Sequence, residues 1–176
     1  MVKGGALAAE AMELCRPVVE ALSEGLVLAG LSFCQEEGEQ VLRLILDSSH
    51  PISLEDCEAV TEAVNPVLDQ QFSWQQPYNL EVCSWGYERP LEDTAALLRH
   101  RGELLRLRLA QPREGRHEIQ AYLLDADEER LRLRQKLDVK ALKGRRISEK
   151  KRAELEQEFE LERGAVREIR REVDFG

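Results

Sequence analysis

A chain of 176 residues with 43% hydrophobic side chains can bury a core as one domain or two small ones, and aromatics at only 5% imply a core built mostly from Leu, Val and Ala. The net charge of -9 is unevenly placed: residues 1–91 carry 4 basic and 15 acidic side chains, whereas residues 92–176 carry 21 and 19. An acidic first half favours a basic protein partner and repels phosphate, so contact with nucleic acid could rest only on the second half; an acidic surface with no partner is the alternative reading. Glu10 and Glu13 interrupt the start of the chain, and no long apolar run follows. Neither a signal peptide nor a transmembrane segment is therefore expected, and the expected compartment is the cytoplasm.

Leu7, Ala11, Leu14, Cys15, Val18 and Leu22 recur at helical spacing, with Pro17 as a kink or the start of a second segment. Val27, Ala29, Leu31 and Phe33 alternate as an inward strand set. Glu36 to Glu39 turns the chain, and Val41 to Leu46 is aliphatic enough to be a central strand. His50-Pro51 breaks it. Ser53 with Asp56 three residues on forms a capping box ahead of a helix lined by Leu54, Cys57, Val60, Val64, Val67 and Leu68. Tyr78, Leu80 and Val82 then alternate with Asn79, Glu81 and Cys83 in a third strand. The order helix, strand, strand, helix, strand predicts a three-stranded sheet with two helices on one face.

The end of that strand is the most informative segment. Ser84-Trp85-Gly86 stops it, and Arg89-Pro90 forces an extended exit. This reads as a seam, with domains at 1–91 and 92–176. It offers a partner Trp85, Tyr87 and Arg89, residue types favoured in interface hot spots, although packing at the seam would account equally for the two aromatics.

Beyond the seam the predicted elements are shorter. Thr94 to His100 holds one or two helical turns, ended by Gly102. Leu105, Leu107 and Leu109 alternate with Arg106 and Arg108, Pro112 to Gly115 is a hairpin loop, and Ile119, Ala121 and Leu123 form the next inward set. Asp125 to Glu129 turns, and Leu131 and Leu133 alternate with Arg130, Arg132 and Arg134. Short strands at this spacing predict a small barrel. Lys140 to Arg152 contains 7 basic residues and 1 acidic, followed by Glu154, Glu156, Glu158, Glu160 and Glu162. Ile147, Leu155 and Phe159 give a thin helical stripe there, whose charge order would oppose the helix dipole.

Residues Tyr78 to Leu91, read Tyr-Asn-Leu-Glu-Val-Cys-Ser-Trp-Gly-Tyr-Glu-Arg-Pro-Leu, resemble the Leu-Glu-Val-Ser-Ser-Pro-Gly-Leu-Asp-Arg-Pro-Leu signature of the RimP family, bacterial ribosome maturation factor P. Leu80, Glu81, Val82, Ser84, Gly86, Arg89, Pro90 and Leu91 match directly, while Trp85 stands in place of proline and Tyr87 in place of leucine. Val41 to Asp47 and Ile52 to Glu58 are similar to the family as well, in the same order. The resemblance implies an α+β chain: the two-helix, three-strand domain, then an SH3-like β-barrel, into which residues 138–164 fall as a charged helical insertion closed by Val166, Ile169, Val173 and Phe175. It also implies an accessory factor that binds the assembling small ribosomal subunit without joining the finished particle.

Nothing in the chain points to catalysis. His50, His100 and His117 are dispersed, and no phosphate loop, dinucleotide fingerprint or nucleophile elbow is present. Asp47, Asp56 and Glu81 align with family carboxylates and are candidates for partner contact, along with Trp85, Gly86, Tyr87, Glu88 and Arg89; for Asp56 helix capping is the structural alternative. Cys15, Cys34, Cys57 and Cys83 lack metal-ligand spacing and read as reduced structural thiols. Arg106, Arg108, Arg130, Arg132 and Arg134 would form a stripe suited to phosphate if their strands were neighbours, or an ordinary solvated face balanced by Glu103, Glu128 and Glu129. Lys143, Arg145 and Arg146 belong to the basic cluster, a patch for RNA or a charged linker. The expectation is a monomer that needs no cofactor, metal, membrane or small-molecule substrate, and that contacts a basic ribosomal protein and rRNA; the alternative is a stand-alone RNA-binding module.

Overall fold

The computed structural model describes residues 3–137 and 146–175, and these divide into two compact units, Met1–Trp85 and Gly86–Gly176. The first contains α1 (Lys3–Glu20), β1 (Val27–Glu36), β2 (Glu39–Asp47), α2 (Leu54–Gln71) and β3 (Asn79–Ser84). Its sheet has the order β1-β2-β3, antiparallel between β1 and β2 and parallel between β2 and β3. The parallel pair requires the chain to cross over, and α2 is that crossover. Ala11, Cys15 and Val19 of α1 and Val60, Val64 and Leu68 of α2 share one core with Leu42, Leu44 and Leu46 of β2. Burial of the Cys15 thiol raises its pKa to about 11, so it packs as a neutral apolar group.

Local signals position these elements. Ser53 caps α2: its Oγ accepts from Asp56 N–H at 3.2 Å, and Asp56 Oδ2 accepts from Ser53 N–H at 2.8 Å. The β1–β2 hairpin turns through Glu37 and Gly38, both at positive φ (49° and 88°), the requirement of a two-residue turn that matches strand twist. Neither Pro17 nor Pro66 stops its helix; α1 and α2 each run 18 residues through them, because the packed apolar faces on both sides hold the helix together.

One expectation for this unit needs correction. The inward set of β1 is Leu28, Leu31 and Phe33 in place of an unbroken alternation from Val27, since a register shift between Leu28 and Gly30 inserts one residue and moves Leu28 to the core face. The buried core is mostly Leu, Val and Ala, and its aromatics are clustered: Phe33, Phe72, Trp74 and Tyr78 meet edge-to-face with centroids 5.3 to 6.2 Å apart. This cluster gathers four of the nine aromatic residues where α2 hands the chain to β3.

The second unit contains α3 (Thr94–Arg99), β4 (Leu104–Arg113), β5 (Arg116–Ala126), β6 (Arg130–Gln135), α4 (Glu149–Leu155), β7 (Glu158–Glu162), a 3-10 turn (Arg163–Ala165) and β8 (Val166–Arg171). All pairings in its sheet are antiparallel, in the order β7-β6-β5-β4-β8, so the chain meanders out to β7 and returns to β4. Leu105, Leu107, Ala121, Leu123, Leu131, Leu133 and Ile169 are buried, the inward set that alternation predicts. Among the described residues backbone pairing leaves β7 and β8 as edges and does not close a barrel. The β4–β5 hairpin again turns through a Glu-Gly pair, Glu114 and Gly115 at φ 51° and 77°.

The acidic segment is not a continuation of the helix. α4 ends at Leu155 with Glu149 in its first turn and Arg152 in its last, an arrangement that favours the dipole. Glu158-Phe159-Glu160-Leu161-Glu162 then forms β7 because its alternation has the period of a strand and its glutamates face arginines: Arg130 opposes Glu162, Arg132 opposes Glu160 and Arg134 opposes Glu158.

Candidate partner-binding surfaces

On the first sheet, the face away from the helices carries alternating residues of β2 and β3. Arg43 is its hub. Its Nη1 and Nη2 donate to the two carboxylate oxygens of Glu36 at 2.9 Å each, and its Nε donates to Glu81 Oε2 at 2.8 Å. Those bonds raise the Arg43 pKa, and they hold the Glu36 carboxyl below its ordinary value. One arginine thus neutralises one of two glutamates, and the exposed Glu37 and Glu39 of the β1–β2 hairpin and Glu55 and Glu58 of α2 add to the acidic charge of the unit. Sequence reading singled out Glu81 but missed Arg43, the residue that joins it to Glu36 across the tight hairpin.

Trp85 continues β3, its N–H donating to Leu46 O at 2.7 Å. Its half-buried ring lies over Gly30 and Ile45. A Cβ at Gly30 would sit 3.4 Å from Ile45 Cδ1 and 4.0 Å from Trp85 Cζ3, so a side chain there would press into the Ile45–Trp85 contact. Asp47 is buried, with Oδ1 accepting from Ser48 N–H at 3.0 Å. Asp56 is committed to the α2 cap; bonds from the Ser53 backbone and hydroxyl hold its carboxyl below the usual value. Asp56 therefore serves the α2 cap and Glu81 the Arg43 pair, two separate local structures.

Tyr87 and Glu88 contact residues of the second unit. Gly86 has φ 74°, which a side chain would strain. Leu91 N–H donates to Ile169 O at 2.7 Å, and Pro90 bridges to Arg170. Glu88 meets Arg170 at 3.2 Å. The exposed Tyr87 ring lies under the Arg171 guanidinium at 4.5 Å, Arg171 Nε pairs with Glu103 at 2.7 Å, and Glu103 bonds the buried His100 at 3.0 Å. Burial opposes ionisation of Glu103, but the bonds from His100 and Arg171 outweigh it and lower its pKa. This chain from surface ring to buried imidazole has no short-range sequence signature, since its members come from three separate segments.

The arginine stripe is not continuous. β5 lies between β4 and β6, so Arg106 and Arg108 are separated from Arg130, Arg132 and Arg134 by Glu118, Gln120 and Tyr122. Arg108 opposes Glu118 on one side and Glu168 on the other, and Arg130 reaches Glu160 at 3.5 Å. Carboxylates thus oppose Arg108, Arg130, Arg132 and Arg134, a largely balanced face rather than a continuous cationic groove, while Arg106 opposes Gln120 and Arg170. Arg146 is exposed, while Lys143 and Arg145 lie outside the described residues. Among the described residues no group of His, Cys, Asp and Glu is placed to hold a metal, and no helix is long and apolar enough to cross a membrane.

Residues 14–88 match the family model described as the RimP N-terminal domain. The match spans α2 and all three strands of the first sheet and ends within the Tyr87–Arg89 corner.

Proposed function

We propose, from the premise that the chain belongs to the RimP family through its N-terminal domain, that it is a ribosome maturation factor that binds the assembling small ribosomal subunit and promotes its biogenesis by binding rather than catalysis. The observation that carries this reading is the family match over residues 14–88, which includes Tyr78 to Glu88 of the Tyr78–Leu91 segment that resembles the family signature. A ligand that binds two conformers of a particle unequally shifts the population toward one, so no reaction and no cofactor are needed. The acidic first unit would engage a basic ribosomal protein, with Glu36, Glu81 and the Trp85 to Arg89 segment as contact candidates. The second unit would be an SH3-like barrel that adds contact to rRNA; its five-strand meander, with the last strand returning beside the first, supports that assignment. The factor would act in the cytoplasm as a monomer. The alternative, a stand-alone RNA-binding module, is disfavoured by the glutamates that oppose its arginines.

Co-sedimentation with immature and mature small subunits at two salt concentrations tests the reading. Preferential, salt-weakened binding to the immature particle is expected. Reversal of Glu36, Glu37, Glu39, Glu55 and Glu58 to lysine should slow association by about tenfold or more, because exposed charges mainly steer encounter. Equal binding to both particles, unaffected by those reversals, rejects it.

A further inference from the structure

We propose that the outer face of the second sheet contains a phosphate-binding site for single-stranded RNA, and that the chain's own C-terminal carboxylates, Glu172 and Asp174, occupy it. Four donors converge on those two groups. Arg106 Nε lies 3.6 Å from Glu172 Oε2, and Gln120 Nε2 donates to the same oxygen at 3.4 Å. The Tyr122 hydroxyl donates to Asp174 Oδ2 at 2.7 Å, and Lys136 Nζ donates to Asp174 Oδ1 at 3.1 Å. Beside them the Arg134 guanidinium lies over the Tyr122 ring at 5.0 Å, and its Nε is buried with no acceptor among the described residues.

The chemistry favours a nucleotide strand. Two anions two residues apart, held by arginine, lysine, a phenol and an amide, are what successive phosphates would offer to the same donors. The Tyr122–Arg134 pair adds a planar surface on which a base can stack. The tail is able to leave. β8 ends at Arg171, and Glu172 N–H still donates to Leu104 O at 2.9 Å, so the release point falls just after it. Beyond that bond, Val173 is 40% and Phe175 90% exposed, so displacement forfeits little apolar burial. A tethered carboxylate competes at high effective concentration, which keeps the site closed to weak anions and open to a strand that engages several donors together. The site lies wholly in the second unit, so its failure leaves the maturation-factor reading standing.

The experiment is fluorescence anisotropy of a labelled single-stranded oligouridylate with the full chain, with Glu172→Gln/Asp174→Asn, and with Asp174→Asn alone, which lies outside every strand. Expected is affinity raised by about tenfold in the double variant and a log K against log salt slope steeper by about 1.4, as two phosphate contacts at about 0.7 each require. Adding Arg106→Gln and Lys136→Gln should abolish the gain. Glu114→Gln/Glu118→Gln removes the same charge from the β4–β5 hairpin and its flank. Three results overturn the proposal: an equal gain in that control, no gain in either unmasked variant, or tighter binding of a poly-glutamate peptide than of RNA.

Discussion

The two sheets handle charge in opposite ways. The first sits in a half of the sequence with 4 basic and 15 acidic side chains, and its one arginine hub, Arg43, is already saturated by Glu36 and Glu81. Its surplus is therefore net and long-ranged. The second carries many more cations but sets glutamates against Arg108, Arg130, Arg132 and Arg134, so much of its field cancels within a few ångströms. Charge count already gives the first half the larger surplus, net -11 against +2 for residues 92–176. Strand order adds to that difference, because opposed neighbours screen one another and an unopposed acidic surface does not.

Matched core truncations are the strongest way to break the comparison. Leu44 and Leu107 are fully buried in their respective sheets, and Leu→Ala at either should cost about 2–5 kcal/mol. We expect two separable transitions by urea denaturation, with each variant moving only its own; a single shared transition would merge the two units into one cooperative body. Next in size are the two Glu-Gly turns. Gly38→Val and Gly115→Val each force a β-branched residue to positive φ, at a cost of about 1–2 kcal/mol, and thermal melts should show similar losses in both units.

Ser53→Ala, which removes the α2 cap, should cost about 1 kcal/mol in chemical denaturation and affect the first unit alone. The cap also has a pH dependence. The Asp56 carboxyl titrates below its unfolded value, so its contribution is complete above about pH 4 and is lost as pH falls through the depressed folded value. Asp56→Asn should therefore flatten the acid limb of the stability profile and leave its neutral region shifted by a constant. Smallest is the charge ladder. Glu160→Lys should cost under about 1 kcal/mol, since Glu160 and Arg130 are each more than half exposed at 3.5 Å. A loss several times larger would show the ladder to be a structural element rather than a solvated face.

Much of the fold was readable in advance. Alternation located the strands at Val41–Leu46 and Tyr78–Cys83, and Ser53 with Asp56 marked the start of α2. Failures came where one local pattern served two structures. Glu158 to Glu162 follows a seven-residue helix and continues its polar texture, but its period of two wins because β6 supplies three facing arginines. The Leu28–Gly30 shift was hidden because a bulge changes which residues face inward without changing composition. For the candidate sites, Asp56 was identified together with its capping partner Ser53, whereas Glu81 was identified without Arg43, which lies 38 residues away.

Sequence by itself determined the helix-sheet layer of the first unit, the alternating strands of the second and the family resemblance, because each rests on short-range periodicity or an ordered motif. Only the tertiary structure decided that β5 separates the arginine strands, that β7 faces β6 charge for charge, and that Glu172 and Asp174 return to Arg106, Tyr122 and Lys136. Those facts depend on strand order and register, which bring together residues tens of positions apart, and no local propensity encodes which strand lies beside which.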